Sequence, residues 1–245
     1  MKDVRCPVVE LRQYTLHPGR RDVLIDLFDR EFVETQEAVG MTVLGQFRDL
    51  DDPDRFVWLR GFADMSRRAE ALKSFYGGPV WREHRDKANA TMVDFDDVLL
   101  LRPPSARAGF PVPTGPRPAS GVPAASPPSL FLATVWHARE PFDTAFLDFF
   151  EHRVRPVLAA TGAEPLAHLQ SEHAPNTFPV LPVRTNEEVF VWFARFPDEA
   201  RLADHLDRLR RSRSWRDDVL PVLAKRGVRT PRHLRLAPTD RSLLR

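Results

Sequence analysis

Residues 55–64 read RFVWLRGFAD, and residues 189–198 read VFVWFARFPD. They share the FVW core, a later Phe and the closing Asp. The same offset of 134 positions brings Trp81-Arg82 onto Trp215-Arg216. Earlier in each half the offset is 122, where DLFDREF (26–32) meets DFFEHRV (148–154) and VGMTVLGQFR (39–48) meets TGAEPLAHLQ (161–170). Tyr14 then falls opposite Trp136, and LLLRPP (99–104) resembles LRLAPT (234–239). Order, spacing and chemistry agree from block to block, the signature of an internal duplication. The change of offset puts 12 extra residues into the second half, within 171–184.

Around these blocks each half reads the same way. VVELRQYTL (8–16) alternates as a strand does. Residues 20–39 carry Val23, Leu24, Leu27, Phe28 and Phe32 at the spacing of an amphipathic helix. Strands follow at 43–48 and 56–62, helices at 65–75 and 79–89, and a fourth strand at 92–102. Pro79 suits the first turn of its helix. The order is βαββαβ, the ferredoxin-like unit. The second half repeats it with strands at 131–138, 166–170, 189–196 and 233–236. Its helices cover 142–160, where Pro156 is expected to kink or split the chain, then 198–211 and 215–225. Between the halves prolines recur every few residues from 103 to 129, which excludes helix and central strand and implies a semi-extended spacer. The organisation expected is a first unit at 1–103, a linker at 104–129, a second unit at 130–239 and a tail at 240–245. Each half alone has open sheet edges to cover, so the two are expected to pair with each other.

The 245 residues are 42% hydrophobic, enough for a core, and 36 Lys and Arg against 34 Asp and Glu leave a charge of +2. That balance excludes a strongly basic nucleic-acid binder. Only Lys2, Lys73, Lys87 and Lys225 are lysines, an Arg bias that reads as the codon supply of a high-GC bacterium. A single cysteine, Cys6, excludes an internal disulfide and a Cys-based metal cluster, and reads as an inert thiol more readily than as a nucleophile. The first residues lack the apolar core of a signal peptide, and no apolar run approaches the roughly 20 residues of a membrane helix. A cytoplasmic protein with no membrane partner is expected. Loops of the GxGxxG, GxxxxGK[ST] and GxSxG types are absent, and His168 with His173 makes poor metal-ligand spacing.

ELRQYTLHPG (10–19), FVWLRGFAD (56–64), PVWREH (79–84) and VLLLRPP (98–104) together resemble the NIPSNAP family. The likeness is strong over 8–104 and weaker over 130–238, where the opening Glu-Leu-Arg-x-Tyr has become Leu132-Ala133-Thr134-Val135-Trp136. The resemblance implies the dimeric α/β-barrel fold, here as an α+β pseudo-dimer inside one chain, either monomeric or assembled further. It leaves the reaction open, because this barrel hosts oxygenases, haem-active enzymes, cyclases, isomerases and proteins of no known activity.

Candidate site residues follow from strand alternation. Glu10, Arg12 and Tyr14 share one face of the first strand, which is either inside the barrel or beneath the helices. Buried charges must be paired or used, so this trio is an ion pair of the scaffold or a set of ligand-orienting groups. Leu44, Gln46 and Arg48 are expected on one face of the second strand, with Leu166, His168 and Gln170 opposite them in the repeat. His168 is the candidate acid–base group, since an ordinary pKa near 6.5 suits proton transfer; a satisfied structural histidine is the plainer reading. Trp58 and Trp192, like Trp81 and Trp215, are repeat-related and read first as core anchors. Trp136 and Phe178 supply apolar walls, Arg60 faces Ala194 in the repeat, and the inserted 172–183 is either a lid or a surface loop.

The function expected is action on a small organic molecule in the barrel interior, with catalytic His168, Arg12 and Tyr14. Glu10, Gln46, Arg48, Trp58, Arg60, Trp136, Gln170, Phe178 and Trp192 would bind the ligand. An oxygenase, isomerase or cyclase of bacterial secondary metabolism, without a nucleotide cofactor or a metal, fits this set. A non-catalytic ligand-binding or interaction module is the alternative. Haem held by His84 or His168 is a lesser one.

Overall fold

The computed structural model describes residues 6–111, 117–121 and 129–245. Eight antiparallel strands close into one barrel. The first unit supplies β1 (Val8–Leu16), β2 (Thr42–Asp49), β3 (Arg55–Phe62) and β4 (Met92–Arg102). The second supplies β5 (Leu130–Ala138), β6 (Pro165–Ser171), β7 (Glu188–Phe196) and β8 (Arg232–Pro238). Around the barrel the order is β1-β3-β2-β8-β5-β7-β6-β4. Each unit thus keeps the ferredoxin-like order, and the two sheets join through β2 with β8 and β4 with β6. Among the described residues no sheet edge remains open, the liability that isolated halves would have carried.

Helices cover the outside of each half: α1 (21–38), α2 (Met65–Tyr76) and α3 (Pro79–Asn89) on the first, α4 (144–161), α5 (Glu199–Arg211) and α6 (215–225) on the second. Asp64 and Asp198, the repeat-related last residues of the two quoted segments, accept hydrogen bonds from Arg67 N and Arg201 N and so start α2 and α5 in the same way. Pro156, expected to kink or split the helix, stands in the first turn of the α-helical segment Arg155–Thr161, directly after an irregular turn of α4. The turn at Phe150–Val154 has π geometry, as do its repeat equivalent Phe28–Phe32, which no proline follows, and Trp215–Val219 ahead of Pro221. None of the described helices is long and apolar enough to cross a membrane.

The middle of the barrel interior is apolar, and polar groups such as Gln13 and Ser171 appear toward one end. Val9, Leu11, Val57 and Leu59 of the first unit meet Phe131, Val191, Phe193 and Leu234 of the second. Phe47 stands 5.4 Å from Phe131 across the junction of the halves. Gly45 makes room for it, since a Cβ there would lie 2.6 Å from the Phe47 ring. A register shift at the same point puts Leu44 inside the barrel, with Phe47, and turns Gln46 outward, so the expected common face of Leu44, Gln46 and Arg48 does not form. Two further segments reach the interior: Phe110, from the start of the linker, and Leu244, from the tail. The linker is therefore not only a spacer; the expectation of an extended run over 112–116 and 122–128 lies outside the described residues.

A shared interior ties the stability of the halves together. Phe47→Ala is expected to cost about 3–5 kcal/mol. Urea unfolding followed by tryptophan fluorescence and by circular dichroism should show a single coincident transition moving to lower urea, not one half melting ahead of the other.

Candidate functional site

Because the interior is filled by the inward residues of every strand, the alternate residues face the helices. Glu10, Arg12, Tyr14, Trp58 and Arg60 all lie in this outer layer of the first unit, beneath the helices and not inside the barrel as ligand contacts there would require. On neighbouring strands Glu10 lies opposite Arg60, and Arg12 opposite Trp58. Arg68, from α2, completes the group.

Four side chains make a charged cluster with almost no solvent exposure: Glu10 0%, Arg12 1%, Arg60 0% and Arg68 0%. Glu10 Oε2 accepts from Arg12 Nη1 and from Arg60 Nε, and Oε1 accepts from Arg68 Nε, each at 2.7 Å. Burial alone would raise the Glu10 pKa, but Arg60, Arg12 and Arg68 hold it well below the usual carboxylate range. Arg12 Nε also donates to the Tyr14 hydroxyl at 2.9 Å. Arg60 Nη1 reaches Gln36 Oε1 at 3.2 Å, and its guanidinium lies 5.1 Å from the Trp58 ring centre. One carboxylate thus faces three guanidinium groups. Arg60 Nη2 and Arg68 Nη2 are buried without a hydrogen-bond partner. Burial is the largest influence on Arg68 and pulls its pKa down.

Beside the cluster is a small cavity of about 40 Å³, with Tyr14, Phe28, Trp58, Tyr76, Trp81 and Gln36 in its wall. The Trp58 indole Nε1 is buried with no acceptor. Burial raises the Tyr14 pKa, so its hydroxyl stays protonated. The insertion of the second half arches over this layer. It is anchored on β4, through Glu172 N to Leu100 O and Arg184 N to Val98 O. Asn176 Oδ1 and Thr177 Oγ1 accept from Arg68 Nη1 at 2.9 and 3.2 Å, and Phe178 stacks on Tyr76 with 6.0 Å between ring centres. Phe178 therefore belongs to the first unit's site, although it comes from the second half.

The equivalent layer of the second unit is built differently. Leu132, Thr134, Ala194 and Leu202 replace Glu10, Arg12, Arg60 and Arg68, and all four are buried. A wider pocket of about 520 Å³ opens there, walled by Trp136, Trp192, Trp215, Leu206, Thr134 and His233. Thr134 Oγ1 lies 3.0 Å from His233 Nδ1, and the Trp192 Nε1 is buried without a partner like that of Trp58.

The remaining candidates stand apart from both cavities. His168 Nε2 lies 3.2 Å from Glu151, and its ring packs between Phe150 and Phe190. Gln46, its repeat partner, donates to Asp29 at 2.8 Å, and Asp29 is the repeat partner of Glu151. The same strand-to-helix tie in both halves marks it as scaffold. Arg48 pairs with Asp22 at the surface, and Gln170 fits between the Phe142 carbonyl and Arg102. His84 is nearer to the first cavity: its ring is 6.4 Å from that of Phe32, which lines the wall, and its Nδ1 is buried without a partner. Its Nε2, like that of His168, stands beside a carboxylate, Glu31 at 3.5 Å. Burial pushes the Cys6 thiol up, which suits an inert thiol.

Sequence reading missed Arg68, Gln36, Tyr76 and Asn176. Arg68 carried a signal: it falls in line with Ala71, Leu72 and Phe75 on the apolar stripe of α2, where an arginine must find a buried partner. Asn176 gave none, because its neighbours come from the other half.

The architecture is that of a dimeric α/β barrel closed within a single chain. Solved structures share it along their length. An anthrone oxidase-like protein aligns with a TM-score of 0.59 at 12% identity, over 98% of this chain and 94% of that one. A proposed monooxygenase of Fusobacterium nucleatum aligns with a TM-score of 0.57 at 10% identity, over 96% and 93%. Another, from Lactobacillus acidophilus, aligns with a TM-score of 0.53 at 13% identity, over 96% and 94%. No curated protein sequence matches. Residues 9–105 match the NIPSNAP family model, and the first unit is a NIPSNAP domain.

Two outcomes test these buried charges, one in the cluster and one at the scaffold histidine. Glu10→Gln leaves three buried guanidinium groups without a counter-charge and should cost about 3–5 kcal/mol in urea unfolding. His168 has its pKa lowered, chiefly by burial, to about 4. It stays neutral in the fold while the unfolded chain takes up a proton below about 6.5. Its contribution is therefore complete above that pH and is lost as pH falls toward 4. His168→Gln, which copies Gln46, should remove about 2 kcal/mol of the stability lost between pH 7 and pH 5.

Proposed function

We propose that the protein acts on a small organic molecule held between the sheet and the helices of its first unit, without a nucleotide cofactor, and that the reaction is an oxygenation. The observation that carries this reading is the aromatic cavity bordered by buried hydrogen-bond donors: Trp58 Nε1 without an acceptor, and the Tyr14 hydroxyl fixed by Arg12. Ligand sites are apolar recesses with a few placed polar groups, and this one has that composition. The neighbours named as an anthrone oxidase-like protein and as proposed monooxygenases support the choice of reaction.

In the reaction the methylene of an anthrone-like substrate becomes a ketone. One atom of O₂ enters the new C=O bond, and the other leaves as water with the two methylene hydrogens. The substrate supplies all the electrons, so no external reductant is required. Arg12 accepts no proton; it donates to the Tyr14 oxygen and aims the Tyr14 O–H at a substrate oxygen. Trp58 Nε1 donates to the same region, where such donors stabilise charge that develops on oxygen. Phe28, Tyr76 and Trp81 give flat walls that exclude water. Isomerisation or cyclisation would use the same donors.

A binding module without turnover is the second reading, favoured by the wide apolar pocket around Trp136 and Trp192 in the second unit.

An oxygen electrode with an anthrone in air-saturated buffer separates the two. Oxygen uptake equal to quinone formed, with no added cofactor, is the expected result. Tyr14→Phe keeps the ring that packs 5.9 Å from Trp58 and should lower kcat at least tenfold; because it also removes the acceptor of buried Arg12 Nε, a lower melting temperature is expected, and kcat is compared at a temperature where circular dichroism shows both proteins folded. Absence of turnover with anthrones, or turnover indifferent to Tyr14→Phe, would overturn the proposal.

A further inference from the structure

The inserted strap of the second half occupies the first unit's charged layer with groups that imitate a ligand. Phe178 provides a flat ring against Tyr76, and Asn176 and Thr177 provide two neutral oxygens to Arg68. Beneath them one carboxylate, Glu10, balances three fully buried guanidinium groups, and Arg60 Nη2 and Arg68 Nη2 have no acceptor at all. Buried charge without a counter-charge is costly. A neutral amide and a hydroxyl satisfy the geometry of Arg68 but add no negative charge to the single one that Glu10 shares among the three guanidinium groups.

The cover is thin. Thr177 is exposed, Phe178 is half-buried, and Val180 near the crown of the strap is 80% exposed. The strap does not line the cavity of about 40 Å³ beside the cluster; it covers Arg68 and the outer face of Tyr76, so a ligand reaches Arg68 by displacing Asn176, Thr177 and Phe178. None of this is repeated in the second unit, where the four cluster positions are Leu132, Thr134, Ala194 and Leu202. The barrel thus stands without the charges, and their place in the first unit alone is explained by what that unit binds.

We infer that the first unit binds a flat aromatic carboxylate, its ring taking the place of Phe178 on Tyr76 and its carboxylate taking the place of the Asn176 and Thr177 oxygens on Arg68, within reach of Arg60. The inference rests on the reading of this layer as the ligand site and adds the ligand's charge class and the element it displaces. The guanidinium fork of Arg68 suits a carboxylate, which accepts two hydrogen bonds side by side and supplies the missing negative charge.

Isothermal titration calorimetry of the full chain with 2-naphthoate and with its neutral counterpart 2-naphthamide tests this. The acid should bind at least tenfold more tightly than the amide. Arg68→Leu, which copies Leu202 of the repeat, should abolish that preference while the circular dichroism spectrum is kept. If Arg68→Leu fails to fold, the comparison of acid with amide on the unaltered protein decides alone. Equal affinity for acid and amide, or an Arg68→Leu protein that keeps the preference, overturns the inference and leaves the site standing. Binding of neither probe overturns the inference and the site together.

Discussion

Closure of eight strands into one barrel constrains everything else in this chain. A closed barrel of this size has an interior that only side chains can fill, and both halves fill it with aliphatic and aromatic residues, Phe47 against Phe131 and Phe110 against Phe193. Every second residue of each strand is then forced outward. Glu10, Arg12 and Arg60, which fall on that alternate register, are thereby placed in the layer between sheet and helices. The location of the candidate site is a consequence of that packing and not an independent feature.

The two halves answer the same geometry differently. In the second unit the outer layer is apolar and leaves a wide pocket. In the first it is charged, nearly filled and strapped down by a segment borrowed from the second. Duplication within one chain makes this division possible. One copy can carry a costly buried cluster while the shared barrel interior supplies the stability of both. In a homodimer of identical units the cluster would have to appear twice.

The fold was legible because it is carried by periodic, locally encoded features. The duplicated FVW blocks, the alternation of 8–16 and the helical spacing of Leu24, Leu27 and Phe28 each report on neighbours close in the chain. The site was legible only in part. Glu10, Arg12 and Tyr14 announced themselves as polar residues on a buried strand, and Arg60 by its mismatch with Ala194. Which face they take was not legible, because the register shift at Gly45 and the filling of the barrel depend on contacts between halves. His168 drew attention as a histidine on a buried strand, yet its partner Glu151 comes from a helix and ties sheet to helix just as Asp29 does for Gln46. The role of 171–184 was hidden for the same reason: its anchors on β4 and its contacts with Arg68 and Tyr76 lie far away in sequence.

The central claim is that the guanidinium-rich cluster serves a ligand and not the fold. Replacing a buried ionic group as a whole by apolar residues is often neutral or stabilising, whereas breaking it piecemeal is not. The repeat itself supplies the replacement set, Glu10→Leu, Arg12→Thr, Arg60→Ala and Arg68→Leu together. Urea unfolding of that fourfold variant is the most direct measurement. The account predicts a protein at least as stable as the parent. A variant that unfolds, or that loses several kcal/mol, would show that the cluster holds the first unit together and would contradict the claim.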